Sequence, residues 1–189
     1  MYRGQFPTVN LWMALIADGL PVIKAGTDAG WNEDRAFRMM TKIKPKVKAW
    51  WKYGNQAMRL IGDNEASWGT MSNARAKTAR QKGMAPTKVI WDGAQLFEGL
   101  WIVAKGTPNA TAAWKFAAFA TAAENVGRYC ANYASSPMNV DAFQYISEAK
   151  AKTMSSYPPN AKLAFREDPL WLAPRATAIR KRYMRWFAS

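Results

Sequence analysis

Segments with the length and composition of β-strands alternate with amphipathic segments along the first hundred residues, and this alternation restricts the fold most. Strand-like segments occur at 47–51, 65–71, 88–91 and 100–104, and we expect the last to be a strand buried on both faces. Between 33 and 43, apolar residues recur at the spacing of one helix face. Helical patterns dominate afterwards. The pattern predicts an α/β fold with a small, mostly parallel or mixed sheet.

Several helix ends are marked by residues with known capping preferences. A short helix over Leu11–Ala17 is followed by Gly19, which can adopt the left-handed conformation that closes a helix. Asn32–Asp34 offers side-chain oxygens to the start of the next long helix, and Asn73 can cap a later one. The chain closes with a helix from Pro174, in which apolar residues form one stripe. These signals predict where the helices lie, but not how they pack.

The residue inventory argues against catalysis and against a bound metal or cofactor. The 189 residues include no histidine and one cysteine, Cys130, which cannot form an internal disulfide or a zinc-binding cluster. Cys130 lies in a predicted helix and is expected to be a buried structural thiol. No glycine-rich phosphate loop or nucleophile elbow is present, and the adjacent acids Glu33-Asp34 and Glu167-Asp168 suit helix caps or turns. We therefore expect no enzyme, no cofactor and no catalytic or metal-ligating residues.

The charge balance leaves a nucleic-acid-binding module as the alternative function. Lysine and arginine number 27 against 13 acids, a formal net charge of +14 that attracts nucleic acid, anionic lipid or acidic ligands. The stretch from Arg35 to Lys52 holds seven basic residues and no acid, and Arg175 to Arg185 holds five and no acid. The aromatic residues interleaved with them are Trp50, Trp51, Tyr183 and Trp186. Such rings can stack on bases, or they can face the core from a helix whose basic face is solvated.

The first residues give no sign of a secretory leader. Met1–Pro7 lacks a basic segment followed by an apolar one, and the apolar run Leu11–Ala17 is too short to span a bilayer. We therefore expect no membrane insertion. Taken as a whole protein the chain would be cytosolic, whereas for a piece of a longer protein the missing leader would carry no meaning.

A series of segments, in order along residues 7 to 187, resembles one protein family. The segments are Asp34–Phe37 through Lys44-Pro45 and Trp50-Trp51, Glu65–Gly69 through Asn73 to Arg80–Gly83, Lys88–Asp92, Leu100–Asn109, Ala112–Ala120 and Ser136–Asn139. Their order is similar to that in the C-terminal half of periplasmic spermidine/putrescine-type solute-binding proteins of ABC transporters. The resemblance implies a partial receptor in which the first lobe is truncated.

This resemblance carries expectations about architecture and role. It implies an α/β lobe of the type II periplasmic-binding-protein kind with additional C-terminal helices. Residues 1–96 would form the second-lobe portion, 97–132 a crossover strand and helices of the first lobe, and 133–189 the return to the second lobe. The implied function is the periplasmic solute-binding component of an ABC-type uptake system, whose partners are a small polar solute and a transporter permease.

The same resemblance assigns candidate ligand-binding residues. They are Ser72, Asn73, Arg75, Phe97, Glu98 and Ser135. Phe97 keeps an aromatic residue of the family, whereas Ser72 and Ser135 stand where the family has aromatic residues, and Arg75 replaces a small one. Since cationic amines are held by carboxylates and ring faces, these departures indicate an anionic or neutral polar solute rather than a polyamine.

The implied loss of the first lobe has a consequence for assembly. The predicted strand at Leu100–Ala104 would lack its neighbours, and exposed strand edges and apolar faces attract partners. We therefore expect self-association as a symmetric dimer that covers this surface.

Overall fold

The protein divides into two compact units. The computed structural model describes residues 2–3, 7–84 and 87–189. Unit 1 comprises residues 1–96 and 162–189, and unit 2 comprises residues 97–161. Unit 2 thus begins at Phe97 and continues beyond residue 132. The assignment of these segments to the lobes of a receptor stays a prediction.

Helices account for most of the regular structure over the described residues. They are α1 (Pro7–Ala17), α2 (Glu33–Ile43), α3 (Gly54–Gly62), α4 (Asn73–Gln81), α5 (Ala110–Thr121), α6 (Ala123–Asn132), α7 (Glu148–Ala151), α8 (Pro158–Ala161), α9 (Pro169–Leu172) and α10 (Ala176–Ala188). The strands are β1 (Tyr2–Arg3), β2 (Trp50–Trp51), β3 (Gln95–Leu96) and β4 (Phe165–Arg166). Single 3-10 turns lie at Val22–Lys24, Asp28–Gly30 and Lys44–Lys46, with a longer one at Val140–Tyr145.

Both strand pairs are parallel and belong to unit 1. Tyr2 lies opposite Trp50 in the β1–β2 pair, and Gln95 lies opposite Phe165 in the β3–β4 pair. Parallel strands need a crossover between them, and α1 and α2 lie between β1 and β2 in the chain. The mixed helix and strand order that the sequence predicted is therefore present, although each strand is very short.

Most of the other predicted strands do not form. Residues 65–71, 88–91 and 100–104 have no regular structure, and Leu100 is 79% exposed rather than buried on both faces. Of the predicted strand at 47–51, only β2 forms. A short apolar run predicts a strand only when a neighbour accepts its backbone hydrogen bonds, and no such neighbour lies among the described residues.

The core of unit 1 is built around α1. Leu11, Trp12 and Leu15 are completely buried. The Trp12 ring lies 4.8 Å from Trp31 and 5.3 Å from Trp171, between ring centroids, in edge and tilted geometries that favour aromatic pairs. The sequence predicted this helix from Leu11, and it begins four residues earlier, at Pro7, where proline suits a first helical turn.

The caps of α1 and α2 are where the sequence predicted them. Gly19 has a φ of 92°, and its N–H donates to the carbonyl of Ile16. Asn32 caps α2, since its Oδ1 accepts a hydrogen bond from the N–H of Arg35 at 2.9 Å. Phe37 and Met40 face the core from this helix. Local capping chemistry therefore determined these helix ends.

The basic stretches are integrated into the fold of unit 1. Their aromatic residues pack inward: Tyr183 is completely buried, and the rings of Trp50 and Trp186 lie 5.8 Å apart. Arg182 pairs with Asp34 at 2.5 Å. Lys44 Nζ donates to the carbonyl oxygen of Trp186 at 2.8 Å. The rings are thus not displayed for stacking on bases, and nothing in this region favours the nucleic-acid alternative.

Unit 2 has a small core beneath α6. Cys130, Ile146 and Met154 are buried together, and burial raises the pKa of the Cys130 thiol. The expectation of a buried structural thiol is confirmed. A Cβ added at Gly127 would lie 2.7 Å from the carbonyl oxygen of Ala142, so glycine allows α6 to approach the 3-10 turn closely. No helix over the described residues is long and apolar enough to cross a membrane.

One buried hydrogen bond joins the first and last helices of unit 1. Asn10 Nδ2 donates to the hydroxyl of Tyr183 at 2.9 Å, and both residues are completely buried. Burial raises the pKa of Tyr183 to about 12, and the bond from Asn10 opposes that shift less strongly. The folded chain therefore holds the Tyr183 proton more tightly than the unfolded chain.

This difference predicts a loss of stability at alkaline pH. The Tyr183 contribution is complete below about pH 10 and disappears as the pH rises through about 12, an effect of about 2 to 3 kcal/mol in the free energy of unfolding. Tyr183→Phe should remove this pH dependence and cost about 1–3 kcal/mol at neutral pH, since Asn10 loses its acceptor. Urea unfolding between pH 8 and 11.5 measures both effects. The exposed Tyr53→Phe is the control, and an equal change there would contradict the assignment.

Candidate functional site

The six predicted ligand-binding residues are divided between the units. In unit 1, Ser72, Asn73 and Arg75 lie together at the start of α4. In unit 2, Phe97 and Glu98 lie in the irregular segment at its beginning, and Ser135 follows α6.

The loop that leads into α4 is held against a small apolar cluster. Ala66 is buried, and its N–H donates to the carbonyl of Leu60 at 2.9 Å. Met71 packs against the cluster that contains Trp51 and Leu60. These contacts fix the end of the loop one residue before Ser72, so the start of α4 is positioned by packing rather than by the loop residues alone.

The first turn of α4 presents an uncapped helix N-terminus. The N-cap is Ser72, one residue earlier than predicted; its carbonyl accepts the N–H groups of Arg75 at 3.0 Å and Ala76 at 3.1 Å. The Ser72 side chain makes no capping hydrogen bond and is exposed. A helix N-terminus carries partial positive charge and leaves N–H groups without intrahelical acceptors. This end of α4 therefore favours an anionic group.

Arg75 adds a full positive charge at the same place. Its Nη1 donates to Asn55 Oδ1 at 2.7 Å, which draws the side chain towards the start of α3. A Cβ added at Gly54 would lie 2.0 Å from Arg75 Nε, so the absence of a side chain there leaves room for the guanidinium group. We call Gly54, Asn55, Ser72, Asn73 and Arg75 the Arg75 corner. It brings one guanidinium group to the first residues of two helices.

Sequence reasoning found three residues of the Arg75 corner and missed Gly54 and Asn55. Their contact with Arg75 spans 20 residues, so their neighbours in the sequence do not indicate it. It also missed Thr70, whose Oγ1 is buried without a hydrogen-bond partner in the described part of the chain. Contacts between separate elements leave no mark in the local pattern, so these residues could not be found from the sequence.

The candidates of unit 2 differ in accessibility. Phe97 is 80% exposed, and Glu98 is exposed. Ser135 is half-buried, and it lowers the pKa of the Cys130 thiol less than burial raises it. The loop around it is tied down, since Ser136 Oγ accepts hydrogen bonds from both the N–H and the hydroxyl of Ser155. Ser135 is therefore held by structural contacts, whereas Phe97 and Glu98 face solvent.

Glu167 is a half-buried carboxyl group in unit 1 that the sequence assigned only to a turn or cap. Its Oε1 accepts a hydrogen bond from Trp12 Nε1 at 2.8 Å, and its Oε2 accepts from Thr8 Oγ1 at 3.1 Å and Gln95 Nε2 at 3.5 Å. Burial raises the pKa of Glu167 and outweighs these three donors, which lower it. The neighbouring Asp168 does cap α9, as predicted, by accepting from the N–H of Leu170. Glu167 joins α1 to β3 and β4.

The described residues offer little that a metal ion could bind. No group of three or more cysteine, aspartate or glutamate side chains lies close enough together there to hold one. The basic Arg75 corner is likewise unsuited to a cation, because it would repel the charge. Its positive charge suits a negatively charged group instead.

Comparisons with known proteins agree on one family. The sequence model of the bacterial extracellular solute-binding protein family matches residues 2–161. A gamma-aminobutyric acid-binding protein of Pseudomonas aeruginosa is 24% identical over 181 residues, which is 95% of this chain and 51% of that protein. An ABC transporter substrate-binding protein of Bradyrhizobium japonicum USDA 110 has a TM-score of 0.85 at 26% identity, covering 98% of this chain and 57% of that one.

A third relative was solved with its solute. The PBP AgtB of Agrobacterium tumefaciens R10, in complex with agropinic acid, has a TM-score of 0.78 at 26% identity, covering all of this chain and 58% of that one. The expected periplasmic-binding-protein-like α/β fold and the resemblance to solute-binding proteins of ABC transporters are thus confirmed. The chain spans a little over half the length of these relatives. Neither named solute is a polyamine.

The environment of Glu167 predicts a pH dependence of stability. Because its pKa is raised on folding, its contribution is complete below the usual pKa of a glutamate and is lost as the pH rises through the folded-state value. Glu167→Gln resembles the protonated form. We therefore expect the free energy of unfolding of this variant, relative to wild type, to increase between pH 4 and pH 7 in urea titrations. The matched control is the exposed Glu65→Gln, which should show the smaller change; equal changes would contradict the burial effect.

Proposed function

We propose that this chain is part of an ABC-transporter receptor for a small solute bearing a carboxylate. The premise is that the chain belongs to the bacterial extracellular solute-binding protein family. Members of this family bind small solutes for transporter permeases and are not enzymes. The observation that carries the choice of solute is the Arg75 corner, where a guanidinium group meets the uncapped start of α4.

The chemistry of the Arg75 corner favours a carboxylate over an amine. Arginine and helix N-termini both bind anions through N–H donors, and a charge-assisted hydrogen bond is roughly twice as strong as a neutral one. Arg75 is half-buried, which weakens solvent screening, and it already has one fixed partner in Asn55. A polyamine would meet like charge here.

The charge distribution and the relatives support the same choice. Unit 2 contains five of the 27 basic residues and four of the 13 acids, so almost the whole positive excess belongs to unit 1. Such a field attracts anionic solutes. Gamma-aminobutyric acid and agropinic acid, which two relatives bind, are both carboxylic acids. We keep Phe97, Glu98 and Ser135 as proposed solute contacts carried by unit 2.

We further propose that the chain corresponds to the C-terminal half of such a receptor and acts in the periplasm with a permease. Residues 1–96 and the C-terminal segment from 133 would belong to the second lobe, and residues 97–132 to the first. The support is the order of matching segments along the chain and the coverage of just over half of each relative. Closure of a complete receptor on its solute would then require residues beyond these.

The solute class can be tested by ligand-induced stabilisation. Gamma-aminobutyric acid and agropinic acid should raise the melting temperature of the wild-type chain, because a ligand that binds only the folded state stabilises it. Putrescine and spermidine should not. Stabilisation by either polyamine, or a failure of every carboxylate tested, would overturn the proposal.

The role of Arg75 has its own matched control. Arg75→Ala should weaken binding of the stabilising carboxylate about 10- to 100-fold by isothermal titration calorimetry, the loss of one charge-assisted pair. Lys82→Ala removes the same charge from the exposed C-terminal end of α4 and should change the affinity little. Melting temperatures without ligand check that both variants fold. Equal effects would show that only the general field matters and would remove Arg75 from the site.

A further inference from the structure

Unit 2 displays large apolar side chains that its own core does not use. We define the aromatic surface as six residues of its first segment and of α5, each between 54% and 85% exposed. They are Leu100, Trp101, Ile102, Trp114, Phe116 and Phe119. In α5, twelve residues long, none is buried. A helix this short is marginal in water unless one face packs against something.

The two parts of this surface are physically connected. The rings of Trp101 and Phe116 meet edge to face, with centroids 5.3 Å apart. This contact joins the irregular first segment to α5 without burying either residue. The exposed residues on both sides of it therefore form one surface rather than scattered single side chains.

The area is close to what a stable dimer buries. Aromatic side chains bury about 150–250 Å² each, so four that are a little over half exposed, with Leu100 and Ile102, offer on the order of 700 Å². Monomers rarely expose contiguous apolar patches above about 300–600 Å², whereas each partner in a standard interface buries about 800 Å². The aromatic surface is therefore larger than the apolar patches of most monomers and approaches the area that one partner buries in a standard interface.

The backbone of the same segment is available for pairing. Among the described residues, no backbone hydrogen bond involves Leu100, Trp101, Ile102 or Val103. A row of unpaired N–H and C=O groups is a template for another strand. Two identical segments related by a two-fold axis run antiparallel, so each can satisfy the other.

Local charge permits two copies to approach through unit 2. This unit has five basic residues and four acids, which leaves it almost neutral although the whole chain carries a formal charge of +14. Charges farther than about 8 Å apart are largely screened at physiological ionic strength. Charge repulsion between two copies of unit 2 itself is therefore weak.

We propose that the aromatic surface is the interface of a symmetric homodimer. Leu100–Val103 of one copy pairs antiparallel with the same residues of the other, and α5 of each copy packs over the paired segments. This interface supplies the partner that the predicted strand at Leu100–Ala104 lacks among the described residues. The proposal is independent of the solute, so the failure of either one leaves the other standing.

The test compares two identical substitutions at exposed isoleucines. Light scattering after size-exclusion chromatography at tens of micromolar should give twice the 21.2 kDa chain mass for the wild type. Ile102→Lys should shift the protein to the monomer, raising the dimer dissociation constant at least about tenfold. Ile23→Lys, at a position in unit 1 that is 89% exposed, should remain dimeric.

Hydrogen exchange tests the strand pairing itself. Amides of residues 100–103 should be protected in the wild type and in Ile23→Lys, and should exchange rapidly in Ile102→Lys. A monomeric wild type would mean that another polypeptide, or none, covers this surface, and it would overturn the proposal. An equal change of oligomeric state in Ile102→Lys and Ile23→Lys would overturn it as well. So would polydisperse aggregates that persist in Ile102→Lys.

Discussion

The burial of Trp12 is the interaction on which unit 1 depends. Its ring packs against Trp31 and Trp171, and its indole N–H donates to Glu167 at 2.8 Å. Unit 1 is made of two segments separated by the whole of unit 2, and these contacts fix residues from both segments to one buried helix. Because aromatic residues bury the largest areas, this cluster can hold together a unit whose strands are only two residues long.

The excess of basic residues serves both structure and electrostatics. Arg182 and Lys44 tie α2 and its following turn to α10, while the aromatic residues between the basic ones fill the core. The basic residues in excess of the acidic ones give unit 1 a positive electrostatic potential. Arg75 places one of these charges where α3 and α4 begin. The proposal of a small carboxylate as the solute rests on this corner, and the rings of Tyr183, Trp50 and Trp186 pack against other side chains.

Only part of unit 2 contributes to its core. Its buried residues gather beneath α6, around Cys130, whereas α5 and the segment before it contribute nothing to a core. A chain that carries so much apolar surface outside its core must cover it or expose it to water. The proposed homodimer therefore draws on the hydrophobic surface of unit 2, whereas the Arg75 corner of the proposed solute site lies in unit 1.

The sequence by itself determined the local features. The glycine after α1, the asparagine cap of α2, the inward stripe of α10 and the buried Cys130 follow from the chemistry of neighbouring residues. The ordered segments indicated a solute-binding protein of ABC transporters, although the spermidine/putrescine type is not confirmed. Tertiary structure alone decided whether an apolar run became a strand, because Leu100–Ala104 needs a partner that no local pattern supplies. It also decided that Asn55 and Gly54 position Arg75 and that Glu167 accepts a hydrogen bond from Trp12, since these contacts join residues far apart in the chain.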